Sequence, residues 1–166
     1  MKNNIDLEYV SIIENILDNK EYQKLKQIEH HGITRYDHCL KVSFYSYKVA
    51  HALRLDYESV ARAGLLHDFF LSDNERTFKD RFVSVFVHPK FAVEKSSKEF
   101  NISDKEKDII RTHMFPINPA IPKYAESWIV SIVDKFVALN EFSHKFSYKL
   151  KYALNLYIIF LINFYK

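Results

Sequence analysis

Glycine is nearly absent: the chain has two in 166 residues, Gly32 and Gly64. No GxGxxG and no GxxxxGK[ST] pattern can be assembled from them, so glycine-rich loops that cradle nucleotide phosphates are excluded. A single cysteine, Cys39, rules out a disulfide framework and a thiolate-based zinc site. One thiol also makes a reducing, cytoplasmic setting the default expectation. Charge of one sign is lacking too. Lys and Arg number 24 against 21 Asp and Glu, a net charge of +3, and no block of like charges occurs. No dedicated nucleic-acid surface is therefore indicated. The N-terminal stretch carries Asp6 early and no continuous apolar run, unlike a secretory signal.

One long apolar run exists, Tyr152 to Tyr165, interrupted by Asn155 and Asn163. It is shorter than the roughly 20 residues that a transmembrane helix needs. Apolar nearly all round, it reads first as a buried core helix, then as a homodimer contact, then as a membrane-surface contact.

Helical periodicity dominates what remains. Leu7, Val10, Ile13 and Ile16/Leu17 form a first stripe. Thr34 is placed to cap a second helix whose stripe is His38, Val42, Tyr45 and Val49. Glu58 to Phe69 carries Val60, Ala63/Gly64 and His67 on one face, and Leu71–Asn74 reads as a loop. His88-Pro89 reads as a helix start, because proline suits the first helical position. Ser103 with Glu106 three residues on forms a capping box for a helix carrying Ile109, Ile110 and His113. Pro116, Pro119 and Pro122 mark a non-helical stretch before a helix through Ile129, Ile132, Val133, Phe136 and Val137. The one strand-like run, Phe82 to Val87, has no evident partner. The reading is an all-α fold of about seven helices in a single domain spanning 1–166, with no repeats and no Ser/Gly-rich linker.

Eight histidines in such a chain need explaining. The pair His67-Asp68 decides nothing alone, since chance gives a His-Asp pair about half the time in this composition. Its company matters more. His38, His67 and His113 each sit where an apolar stripe would otherwise continue, and Asp134 shares the face of Val130, Val137 and Ala138. A lone buried aspartate is costly unless paired or bound to a cation. Imidazole and carboxylate are the ligand types that hold Zn, Mn, Fe, Co, Ni or Mg. The bland alternative is a set of polar groups satisfied by core hydrogen bonds. His113 near a helix C-terminus is favourable without any metal.

The pattern His38, His67-Asp68, Asp134 resembles the H…HD…D signature of the HD-domain metal-dependent phosphohydrolase superfamily. TRYDHCLKVS, ARAGLLHDFF and SIVDKFVAL are similar to its three ligand-bearing helices, and the likeness covers about residues 30–140. HPKFAVE at His88 and IIRTHMF at His113 resemble the extra histidines of two-metal members. The resemblance implies one or two divalent ions held by His38, His67, Asp68 and Asp134, with His88 and His113 for the second. It implies Asp68 as the bridging residue and a hydrolase acting through activated water on a nucleotide or other small phosphorylated metabolite. Lys135 after Asp134 is common in the family, and the resemblance gives it a catalytic contact with phosphate or with Asp68. Arg35, one turn before His38, is the candidate substrate contact, since guanidinium matches phosphate oxygens in a bidentate way. Lys90 and Arg111 are weaker candidates for the same job.

Departures from the family are equally visible. Phe69-Phe70-Leu71 follows Asp68 where two-metal members usually have a short apolar residue, glycine and lysine. Met114 follows His113 and no GYP triplet exists, unlike cyclic-dinucleotide phosphodiesterases. Two alternatives therefore stand beside hydrolysis: a metal-binding or sensory module without turnover, and a di-iron oxygenase-type protein. His30, His31, His51 and His144 carry no supporting pattern, Asp37 reads as a first-turn acid, and Asp73 and Glu75 read as surface acids.

Overall fold

A computed structural model describes residues 2–30, 33–71 and 78–143. Helix α1 (Lys2–Leu17) and the short α2 (Lys20–Gln23) lead into a one-turn 3-10 helix, Lys24–Gln27. A two-residue antiparallel ladder follows, β1 (Glu29–His30) with β2 (Ile33–Thr34), Glu29 opposite Thr34. Then come α3 (Arg35–Ala52), α4 (Tyr57–Leu66), α5 (Phe78–Glu99) and α6 (Asp104–Thr112). The last described helix, α7, covers residues 125–143. The fold is all-α, and this ladder is its only strand pairing among the described residues.

Capping residues start the helices as the sequence implies. Thr34 Oγ1 accepts from the Asp37 amide at 3.1 Å, Asp56 Oδ1 from Ser59 at 3.1 Å, and Ser103 with Glu106 closes a capping box. Each satisfies amides that a first turn leaves without helical partners. Asp37 is exposed in the first turn of α3, where a negative charge is favourable. Residues 113–124, holding three of the prolines, are non-helical.

The central crossing is α3 against α4, and small side chains set its closeness. A Cβ on Gly64 would sit 3.0 Å from Ser43 Cα, so the two backbones nearly touch. Ser43 Oγ donates to the Ala61 carbonyl at 2.6 Å and accepts from the Tyr9 hydroxyl at 2.9 Å. Val42, Ala50, Val60, Ala63 and Leu66 fill the surrounding core with Ile109 and Ile110 of α6.

Three stripes are rotated from the sequence reading, and one helix starts earlier than it implies. In α1, Tyr9, Ile13 and Ile16 are buried while Leu7 and Val10 are exposed. Tyr9 turns that face inward by its bond to Ser43 and its ring contacts with Phe44 and Tyr47. In α3, Tyr45 and Val49 are exposed, and the inner face runs through His38, Cys39, Val42, Ser43, Ser46 and Tyr47. Serines occupy the core face there because a close crossing has room only for small groups. In α7, Ile132 and Phe136 are exposed whereas Val130 and Val137 are buried. The fourth difference is α5. Phe82 to Val87 is helical, and Pro89 lies inside the helix rather than at its start. A helix places His88, Ala92 and Ser96 on one buried face at intervals of four, which an extended run could not do. Proline removes one amide donor from this helix. Asn118 Nδ2 donates to the Phe86 carbonyl at 3.1 Å in the turn before it.

The loop reading for 72–74, the acids Asp73 and Glu75, the histidines at 31 and 144, and the apolar run 152–165 lie outside the described residues.

Candidate metal centre

Five elements deliver ligand-type side chains to one buried cluster. His38 comes from the first turn of α3, and His67 and Asp68 from the C-terminal end of α4. His88 comes from mid-α5, His113 from the cap of α6, and Asp134 from α7. All six are buried. Three overlapping triads each bring ligand atoms within 4.8 Å of one another: His38, His67 and Asp68; His67, His113 and Asp134; Asp68, His88 and His113.

The contacts fix which ring nitrogens face inward. His67 Nδ1 donates to the Gly64 carbonyl and His113 Nδ1 to the Ile110 carbonyl, both at 2.8 Å. These assignments follow from carbonyls being acceptors only, and they turn the Nε2 atom of each ring inward; a neutral ring carries its lone pair there. His67 Nε2 is buried without a hydrogen-bond partner, 3.6 Å from Asp134 Oδ1 and 4.0 Å from Asp68 Oδ2. His113 Nε2 lies 3.0 Å from His88 Nε2 and 3.6 Å from Asp68 Oδ1, while His88 Nε2 is 3.3 Å from the same oxygen. Burial, then the neighbouring His67 and His88, push the His113 pKa down to about 3, so its ring is neutral.

His38 is held differently. Its Nδ1 donates to Glu141 Oε2 at 2.9 Å and its Nε2 to Asp134 Oδ1 at 3.1 Å. Burial works against its charge, but the bonds to Asp134 and Glu141 outweigh it and raise the pKa to about 9. Burial likewise opposes ionisation of Asp134, yet the bond from His38 holds that carboxyl well below its usual range.

This donor set fits a divalent cation. The neutral His113 ring, the orphaned buried nitrogen of His67 and two carboxylates make the mixed N/O environment that such ions take. Without a cation, the partnerless buried nitrogen of His67 is a polar group desolvated for no return. The cluster also has the outer support usual around metal ligands, with carbonyls or a carboxylate on the far ring nitrogens.

Two candidates from the sequence lie elsewhere. Lys135 is not placed on Asp68: its ammonium donates to the His113 carbonyl (2.8 Å), the Ser131 carbonyl (2.9 Å) and Ser131 Oγ (3.0 Å). Those three acceptors match the three donors of an ammonium, and burial lowers its pKa. Arg35 is buried against Phe70, with Nη1 donating to the Phe70 carbonyl at 2.8 Å and the guanidinium carbon 3.9 Å from the ring centre. Lys90 is exposed and faces Glu94 at 3.8 Å, and Arg111 is exposed. His51 packs against Tyr47 and Tyr57, and Cys39 is a buried free thiol.

Glu141 is the residue that sequence reading missed. A signal was available: Glu126, Asp134 and Glu141 recur at intervals of eight and seven along α7 and are all buried. Acids repeating on the inner face of a helix call for cationic partners. Glu141 has two, His38 and Lys41 at 3.0 Å.

Comparison with protein-family models matches residues 35–139 to the HD domain. Comparisons with curated proteins and with solved structures give no match.

Proposed function

Because the chain belongs to the HD-domain family, we propose that it is a divalent-metal-dependent phosphohydrolase acting on a nucleotide or another small phosphorylated metabolite. The family is in general one of metal-dependent phosphohydrolases. The observation that carries the reading here is the convergence of six buried ligand-type side chains, with the Nε2 atoms of His67 and His113 turned inward. His38, His67, Asp68 and Asp134 would hold one ion, and Asp68 would share a second with His88 and His113. A divalent ion bound there polarises a phosphoryl oxygen and lowers the pKa of water toward neutrality.

The chain's own residues prepare the site. To act as a ligand, His38 gives up its Nε2 proton and keeps its Nδ1 proton on Glu141, which fixes the ring's orientation. The Gly64 and Ile110 carbonyls do the same for His67 and His113. Lys135 ties the carbonyl of His113 to α7, so it acts as a positioning residue. Directly after Asp68, the Phe70 ring is buried against His88, while the Phe69 ring packs on Tyr22 and Phe100. Arg35 Nε is buried without a hydrogen-bond partner and remains the atom through which a substrate contact would run.

A second reading, a metal-binding module without turnover, draws on one observation. Phe70 stacks on His88, with ring centres 5.3 Å apart, and narrows that side of the cluster. The test separates the two. Purified chain with Mn2+ or Co2+ is assayed for phosphate release across nucleotides and generic phosphoesters. Hydrolysis is expected, and it should disappear in His67→Ala and Asp68→Ala. Bound metal with no turnover supports the second reading, and hydrolysis that survives both substitutions rejects the first.

Among the described residues no helix is long and apolar enough to cross a membrane. We place the protein in the cytoplasm on its cysteine usage, with a small phosphorylated substrate and a second copy of the chain as partners.

A further inference from the structure

His67 and His113 are oriented by backbone carbonyls of their own helices, and His88 is met, besides its polar contacts, by a stack from another element. The phenyl ring of Phe70 lies against the His88 imidazole at 5.3 Å between centres and 29° between planes. The Arg35 guanidinium lies 3.9 Å from the centre of the same phenyl ring. Arg35 also donates to the carbonyl of Phe70 at 2.8 Å, so one guanidinium fixes both ring and backbone. The Phe70 amide in turn donates to the Asp68 carbonyl at 2.8 Å, forming a tight turn. That turn presents two groups to one imidazole. Asp68 Oδ1 approaches His88 Nε2 at 3.3 Å, and Phe70 covers a ring face. His88 itself sits immediately before Pro89, where α5 lacks an amide donor.

Resting on the metal-centre reading above, we propose that Phe70, clamped by Arg35, is the positioning residue for His88. It thereby sets how tightly the Asp68–His88–His113 side of the centre takes up a cation. A planar ring restricts rotation of the imidazole without contributing a ligand atom. Cation–π stacking in a buried setting restricts the phenyl ring in its turn. Arg35 acts here as the back of the clamp, a role that its burial permits directly.

The test uses the full chain, Mn2+ alone as probe, and the histidine ring signals of the metal-free protein assigned with His88→Ala. Phe70→Leu retains much of the volume but removes the ring. It should move the His88 ring protons away from their stacked, ring-current-shifted positions. It should also weaken the second Mn2+ uptake by about 10- to 100-fold, the range seen when a ligand loses its outer support. Phe70→Tyr should restore both readouts, which a loss of general packing would not predict. Arg35→Lys keeps the charge but loses the planar fork, and should change both readouts in the same direction as Phe70→Leu. The proposal is overturned if Phe70→Leu leaves the His88 signals and both Mn2+ affinities as in the wild type. A wild-type chain that takes up no Mn2+ is a different failure, since it overturns the metal-centre reading itself.

Discussion

Glu141 and Lys135 each hold a ligand-type residue of the cluster in place, His38 and His113. Glu141 accepts from His38 Nδ1, and replacing its carboxylate by an amide weakens that orientation without changing shape. Glu141→Gln should lower Mn2+ affinity by about 10- to 100-fold with little change in helical content, as titration calorimetry and circular dichroism would show. An unchanged affinity would mean that the His38 ring is held by packing alone. At this scale the sequence disclosed most of the cluster. His38, His67, His113 and Asp134 were visible because each interrupts an apolar stripe with a group that needs a partner. Glu141 was not, because a lone glutamate near the end of a helix reads as solvated unless its spacing from Asp134 is taken into account. Arg35 and Lys135 were found, but their contacts with Phe70 and with the carbonyls of His113 and Ser131 were not. Sequence shows that a cation is near the site, not which carbonyl it meets.

Among the elements, the α3–α4 crossing positions His38 against His67, and Gly64 permits it. Alanine at 64 gains helix propensity of about 1 kcal/mol. Its Cβ would meet backbone of α3 at 3.0 Å, which cannot yield as a flexible side chain would. Overpacking of this kind costs about 1–3 kcal/mol, so a net loss of stability is expected in urea denaturation, with weaker metal uptake because both histidines ride on the separated helices. A second prediction concerns Asp56, Lys105 and Glu126, which join the start of α4 to α6 and α7. Lys105 lies 2.9 Å from Asp56 and 3.1 Å from Glu126. Burial opposes ionisation of both acids, but Lys105 and nearby amides outweigh it and hold both pKa values below the ordinary carboxylate range. Folded values below unfolded ones mean that the contribution is complete above about pH 4–5 and fades as pH falls through the folded values. Urea midpoints measured from pH 7 downward should fall with acid, and Lys105→Met should reduce that part of the slope. Helix boundaries and caps were legible because Thr34, Ser103 and the prolines act locally. The rotation of α1, α3 and α7 was not, because it depends on which neighbour each face meets. The strand-like run in α5 failed for a related reason: β-branched propensity there is overridden by the tertiary setting of His88.

At the scale of the whole molecule, α7 stands out among the described helices for its inverted polarity. On α7 the acids Glu126, Asp134 and Glu141 point inward, whereas Trp128, Ile132, Phe136, Leu139 and Phe142 are exposed, from 41% at Trp128 to 68% at Phe136. Aromatic and aliphatic side chains exposed to this degree on one face add to roughly 500 Å², near the upper end of what a monomer ordinarily shows. We propose that a second copy of the chain meets this face; the dimer contact expected of the apolar run 152–165 lies outside the described residues. Analytical ultracentrifugation should find a dimer at micromolar concentration, and Phe136→Glu with Leu139→Glu should give a monomer of unchanged helicity. A monomeric wild type would leave the face to another occupant.

The account stands or falls on the cation itself. Elemental analysis of gently purified wild-type chain, repeated after Mn2+ loading and gel filtration, measures identity and stoichiometry together. Two equivalents of divalent metal per chain are predicted, falling to one in the His88→Ala/His113→Ala double variant and to none when His67 and Asp68 are both alanine. A wild-type chain carrying only trace metal, before and after loading, would contradict it.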